Sequence, residues 1–125
     1  MGYYYSVRGW LEMDEAFLPK VSETLDHLRK EVSGDPILLT YLKGWCWTPE
    51  PLNWTKYVFY GADVQKNGVR LLEQTLGRLT CIPEIELDGY FKMDGEESDA
   101  ESVVICVQEN SITKTMNSQA RERDL

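Results

Sequence analysis

NWTKYVFYGADV, residues Asn53 to Val64, decides the fold. Trp54, Tyr57, Val58, Phe59 and Tyr60 are residue types that suit a pleated, half-buried surface, and neither Pro nor Gly interrupts them before Gly61. The stretch therefore reads as a strand. Alternation places Trp54, Val58 and Tyr60 on one face and Tyr57 and Phe59 on the other. Both faces are strongly apolar, which suits an interior strand better than an edge. Upstream, Pro49 and Pro51 in TPEPLN impose an extended connection. Thr40 to Thr48 (TYLKGWCWT) is then expected to be the antiparallel partner, making a hairpin at mid-chain.

Outward from this hairpin the chain reads as two similar halves. Tyr3 to Leu11 (YYYSVRGWL) predicts a first strand, with Gly9 marking a bulge or a close approach. A helix opens at Asp14 or Glu15, and Phe17, Leu18, Val21, Leu25, Leu28 and Val32 recur by threes and fours on one of its faces. Ser33 to Pro36 (SGDP) stops it. Downstream, Asn67-Gly68 opens a second helix with the stripe Val69, Leu72, Leu76 and Leu79, Leu71 beside it, and Pro83 beyond its end. Leu87 to Met93 and Ser102 to Gln108 predict a hairpin across the acidic loop Asp94 to Glu101. From Thr115 the chain is polar and without periodicity, so residues 1–114 are expected to form one domain and 115–125 a flexible tail.

The expected order is β-α-β-β-α-β with one extra C-terminal strand. Two right-handed strand-helix-strand units interleave into an antiparallel sheet with both helices on one face. This predicts an α+β, ferredoxin-like split βαβ fold.

At 125 residues the chain can bury a core without disulfides, and a hydrophobic fraction of 42% argues against wholesale disorder. No apolar run approaches the roughly 18 residues of a membrane span, and the start lacks a signal core, so a cytoplasmic protein with no membrane partner is expected. Cys46, Cys81 and Cys106 are widely spaced in apolar surroundings, which predicts buried free thiols rather than disulfides or a metal site. Asn53-Trp54-Thr55 is formally a glycosylation sequon, and Gly2 with Ser6 fits a myristoylation pattern only weakly.

No catalytic set emerges. The single histidine, His27, lies on the first helix next to Asp26 with no nucleophile tied to it by a motif. The order Asp94-Gly95-Glu96-Glu97 departs from a calcium loop, and the glycines form neither a P-loop nor a dinucleotide fingerprint. No metal, no cofactor and no catalytic residue are expected. A net charge of -8 repels a phosphate backbone, so direct nucleic-acid binding is not expected either.

The charge is unevenly placed. Glu84, Glu86, Asp88, Asp94, Glu96, Glu97, Asp99 and Glu101 stand against Lys92 alone, a local balance of -7. A charged run is commonly a solvated loop that aids solubility. These acids also flank Tyr90 and Phe91, and an aromatic anchor rimmed by charge is how interfaces are built, so the segment is a candidate surface for a basic partner protein. Trp45 and Trp47 give an alternative, a strand face able to line a pocket for a small apolar or cationic ligand, as in a ligand sensor or a ferredoxin-like enzyme, or to form an interface. A third expectation is a homo-oligomeric module that pairs through an exposed strand such as Val103 to Val107.

Arg8-Gly9-Trp10, Gly44-Trp45, Asn53-Trp54-Thr55, Tyr57 to Asp63 and Asp88-Gly89-Tyr90-Phe91 together resemble a group of small bacterial proteins without an assigned activity. The resemblance spans most of residues 4–92, and such proteins are associated with the immunity proteins of bacterial toxin systems. It implies a non-enzymatic inhibitor that neutralises a basic toxin, with a nuclease as one such partner, and carries over no functional residues.

Overall fold

The computed structural model describes residues 3–48, 50, 53–96 and 101–118. It is an α+β structure, an antiparallel sheet with helices packed against it. The strands are β1 (Tyr5–Asp14), β2 (Trp45–Cys46), β3 (Thr55–Val64), β4 (Asp88–Gly95), β5 (Glu101–Gln108) and β6 (Ser111–Ser118). The helices are α1 (Leu18–Glu31), α2 (Pro36–Leu42) and α3 (Lys66–Thr80). In the sheet the order is β2-β3-β1-β4-β5-β6.

β3 alternates as its sequence requires. Val58, Tyr60 and Val64 are buried under the helices, whereas Phe59, Gly61 and Asp63 are exposed. Trp54 departs from the expected alternation: it precedes the strand and is 72% exposed. Lys56 takes its place on the covered face, buried, with Nζ donating to the Thr48 carbonyl. β1 pairs with both β3 and β4 and continues past Leu11 to Asp14. Pairing is continuous through Gly9, so the glycine marks close approach and not a bulge. A Cβ at Gly9 would lie 2.2 Å from the Tyr90 carbonyl oxygen and 2.6 Å from the Phe91 Cα.

The helical stripes form the other half of the core. Val21, Leu25 and Leu28 of α1 and Leu71, Leu72, Leu76 and Leu79 of α3 pack with Val7, Leu11, Val58, Phe91 and Ile105 from the strands. Each fully buried aliphatic or aromatic side chain contributes about 1.5–3 kcal/mol relative to its exposed state. Glu31 and Arg78 tie α1 to α3 on the outside of this layer.

Three expectations need correction. Thr40 to Thr48 is not one strand: Pro36–Leu42 is helical and only Trp45–Cys46 pairs with β3. Asp35 accepts from the Ile37 and Leu38 amides and Pro36 stands at the helix start, a capped N-terminus that redirects an apolar run able to form strand. The sheet also has a sixth strand, because Glu109 and Asn110 both take positive φ (48° and 67°) in a two-residue turn that folds the chain back on β5. Asn110 anchors that turn, its side chain accepting from the Leu87 amide and donating to the Ile85 carbonyl. β6 therefore extends to Ser118, and of the expected tail only residues 119–125 lie outside the described residues. The three cysteines are free as expected but exposed, since Cys46 and Cys106 sit on strand positions facing away from the helices and Cys81 caps α3.

Candidate functional site

All the helices lie on one face of the sheet, so its other face has no cover among the described residues. Strand registry decides what that face presents. The row that crosses the centre of the sheet is Cys46, Phe59, Trp10, Tyr90, Cys106 and Thr113, each opposite the next. Phe59 is 45% and Trp10 38% exposed, unusual for rings at the middle of a sheet. Trp10 stacks on Tyr90 at 5.4 Å and Phe59 on Tyr57 at 6.3 Å. Between the two pairs lies a shallow depression of about 390 Å³ bordered by Arg8, Gly9, Trp10, Phe59, Tyr90 and Lys92.

Charge is sorted on either side of the aromatic row. On one side the neighbouring row is Gly61, Arg8 and Lys92; on the other it is Tyr57, Glu12 and Asp88. The acidic side continues to the end of the sheet. There Glu12, Asp14, Glu86 and Asp88 line a second depression of about 220 Å³ with Phe17 and Trp54. Asp14 caps the turn that follows β1 by accepting from the Ala16 amide, and Asp88 accepts from the Glu109 amide, which fixes both carboxylates. Among the described residues no basic side chain pairs with any of these four acids.

The acidic segment expected from the sequence is thus divided. β4 is extended, so Asp88 and Asp94 stand about 20 Å apart at opposite ends of it. Glu84, Glu86 and Asp88 belong to one end. Glu84 is exposed at φ 67°. At the other end Asp94 pairs with Arg8 at 3.1 Å and accepts from Ser102, while Glu96 accepts from the Tyr4 amide. Tyr90 is half-buried on the uncovered face, whereas Phe91 points the opposite way and is fully buried. Glu97 and Asp99 and the side chain of Glu101 lie outside the described residues.

The alternative ligand face is turned into the core. Trp45 is buried among Tyr60 and Phe91, with ring centroids 4.9 and 5.8 Å away, and Trp47 is partly buried against the same core. The exposed aromatics among the described residues are instead Tyr4, Trp10, Trp54 and Phe59. For Trp10 the signal was available in the sequence, because alternation along Arg8 to Asp14 sets Arg8, Trp10, Glu12 and Asp14 on one face.

Burial perturbs one group near this frame. Tyr60 lies on the covered face with its hydroxyl donating to the Tyr41 carbonyl, and burial, reinforced by Tyr41, pushes its pKa up to about 12. It is a structural tyrosine. His27 is exposed on α1, and the described residues contain no cluster of His, Cys, Asp or Glu able to hold a metal ion. No helix among the described residues is long and apolar enough to cross a membrane.

Comparison of the chain with protein-family models, with curated proteins and with solved structures finds no match.

Proposed function

We propose that this chain is a non-enzymatic protein-binding module of the inhibitor or immunity type, which docks a basic partner protein on the uncovered sheet face. The observation that carries this reading is the exposed aromatic row flanked by an acidic corner of four carboxylates that have no basic partner among the described residues. Trp10, Phe59 and Tyr90 supply rigid apolar contact, Trp54 projects beside the acids, and Glu12, Asp14, Glu86 and Asp88 attract and orient a cationic surface. A nuclease toxin has suitable chemistry, since a groove built to bind phosphates is lined with Lys and Arg. Asp94, Glu96 and the acids around them add to the long-range field that speeds encounter. The strand order β2-β3-β1-β4 with α1 and α3 on one face further supports a ferredoxin-like split βαβ core, extended by the β5-β6 hairpin.

The test is affinity capture from a lysate of the native organism, comparing the wild type with Glu12→Lys/Asp88→Lys and with Trp10→Ser. One basic protein held stoichiometrically by the wild type, released by salt and lost in both variants is the expected result. Equal capture of that protein by the charge-reversed variant overturns the reading.

A second reading rests on the depression between Phe59 and Trp10. Its aromatic walls and the adjacent Arg8 and Lys92 would take a planar anionic ligand. Quenching of tryptophan fluorescence by such a ligand, abolished in Trp10→Phe/Lys92→Ala, would favour it over protein docking.

A further inference from the structure

The two edges of the sheet are built differently. On the β2 side the edge strand has two residues, and Pro49 and Pro51 follow it in the sequence, devices that discourage further pairing. On the other side β6 runs eight residues without Pro, Gly or a break in register. It ends the strand order, so its outer backbone groups have no strand partner among the described residues.

Its sequence is symmetric in chemistry. Ile112-Thr113-Lys114-Thr115-Met116 reads apolar, Thr, Lys, Thr, apolar, with Lys114 at the centre. Ile112 is 43% and Met116 53% exposed, and the register against Val107 and Val103 puts both on the helix-covered side of the sheet. Thr113 and Thr115 point to the uncovered side. A strand that pairs antiparallel with its own copy about a two-fold axis sets residue i opposite residue j and j opposite i, which requires this kind of symmetry.

We infer that β6 is a homodimerisation edge, pairing antiparallel with β6 of a second copy about an axis through Lys114. Ile112 then faces Met116 of the second copy, and Thr113 faces Thr115, both favourable cross-strand pairs. Lys114 meets its own copy. That like-charge contact is offset because Lys114 Nζ already holds Glu73 of α3 at 2.7 Å, so the axis carries two ion pairs rather than two bare cations. The pairing joins two six-stranded sheets into one and leaves both uncovered faces looking the same way. A contact one strand long is small, which sets the expectation of a reversible dimer in the micromolar range. The inference stands apart from the proposed docking of a basic protein, since neither the rings of Trp10, Phe59 and Tyr90 nor the acidic corner takes part.

The test is sedimentation equilibrium of the full chain up to about 500 µM, well above the micromolar range expected of so small an interface, with circular dichroism as a folding control. The wild type should shift reversibly from monomer to dimer. Ile112→Lys/Met116→Lys places like charges opposite one another and should weaken association at least about tenfold. Ile112→Glu/Met116→Lys places opposite charges in register and should associate more tightly than the double-lysine variant. Glu73→Gln, which uncovers the two lysines at the axis, should weaken the dimer and make it more salt-sensitive. A wild type that stays monomeric over the whole range, or a double-lysine variant that dimerises as the wild type does, overturns the inference. Equal weakening in both paired variants overturns the register through Lys114.

Discussion

The same strands present two faces that differ in what they ask of their residues. At the centre of the covered face the side chains pack into the core: Val7, Leu11, Val58, Phe91, Met93 and Ile105 are all at most 2% exposed. On the uncovered face the positions between them carry Arg8, Trp10, Glu12, Phe59 and Lys92, which meet one another and solvent. Burial dictates the first set. The second set is free of that demand, and the rings at the middle of the uncovered face are the ones that the proposed docking would use.

The largest effects should come from breaching the covered face. Phe91→Ala removes a ring packed against Trp45 and should cost about 3–5 kcal/mol, whereas Phe59→Ala, on the opposite face of the sheet, should cost under about 1 kcal/mol in urea unfolding. Near-equal losses would mean that the uncovered face is part of the folding core. Two glycines sharpen the same contrast. Gly9→Val drives a side chain into the Tyr90 and Phe91 backbone and should cost roughly 3 kcal/mol or abolish folding. A Cβ at Gly61 meets nothing within 4 Å, so Gly61→Val should be neutral or stabilise by about 0.5–1 kcal/mol.

An intermediate effect probes a polar atom on the covered face. Tyr60→Phe leaves the Tyr41 carbonyl without its 2.8 Å donor and should cost about 1–2 kcal/mol. The pH dependence follows from the raised pKa. A tyrosine released by unfolding ionises near 10.0 while the folded one holds its proton to about 12, so the contribution is complete below pH 10 and disappears as pH rises through that interval. The wild type should therefore lose about 2 kcal/mol more than Tyr60→Phe between pH 9 and 12. Parallel alkaline profiles would show that Tyr60 is not held neutral by burial.

Periodicity made α1, α3, β1, β3 and the β4-β5 hairpin legible, because each buries one regular stripe. The α+β class and the antiparallel sheet follow from them. Thr40 to Leu42 misleads because Thr, Tyr and Leu also suit a strand; the deciding residue is Asp35, whose cap is overshadowed by the helix stop in which it sits. β6 escapes because an exposed edge strand needs no apolar alternation, being held by backbone pairing and by Asn110. The acidic charge is legible as an amount but not as a place. Sequence neighbours on β4 end up at opposite ends of the sheet, while Glu12 and Asp88, distant in the chain, become cross-strand partners.

The smallest effect is expected on the outside of the helical layer, where Glu31 and Arg78 join α1 to α3. Arg78 donates two hydrogen bonds of 3.0 and 2.9 Å to the two Glu31 oxygens, and these bonds hold the carboxyl below its usual range against the opposing effect of burial. A carboxyl lowered in this way takes up its proton in the unfolded chain first as pH falls. Its contribution is therefore complete above the ordinary carboxylate range, roughly pH 5 and higher, and is lost as pH drops through the lowered folded value. Glu31→Gln should lower the thermal midpoint slightly at pH 7, and the gap to the wild type should close at acid pH and in high salt. Both partners are solvent-exposed, so Coulomb attraction is screened and only the bidentate geometry adds to it. If the gap persisted at acid pH, the side chain would be acting through its packing over α3 and not through its charge. The outer layer would then share the steric character of the covered face.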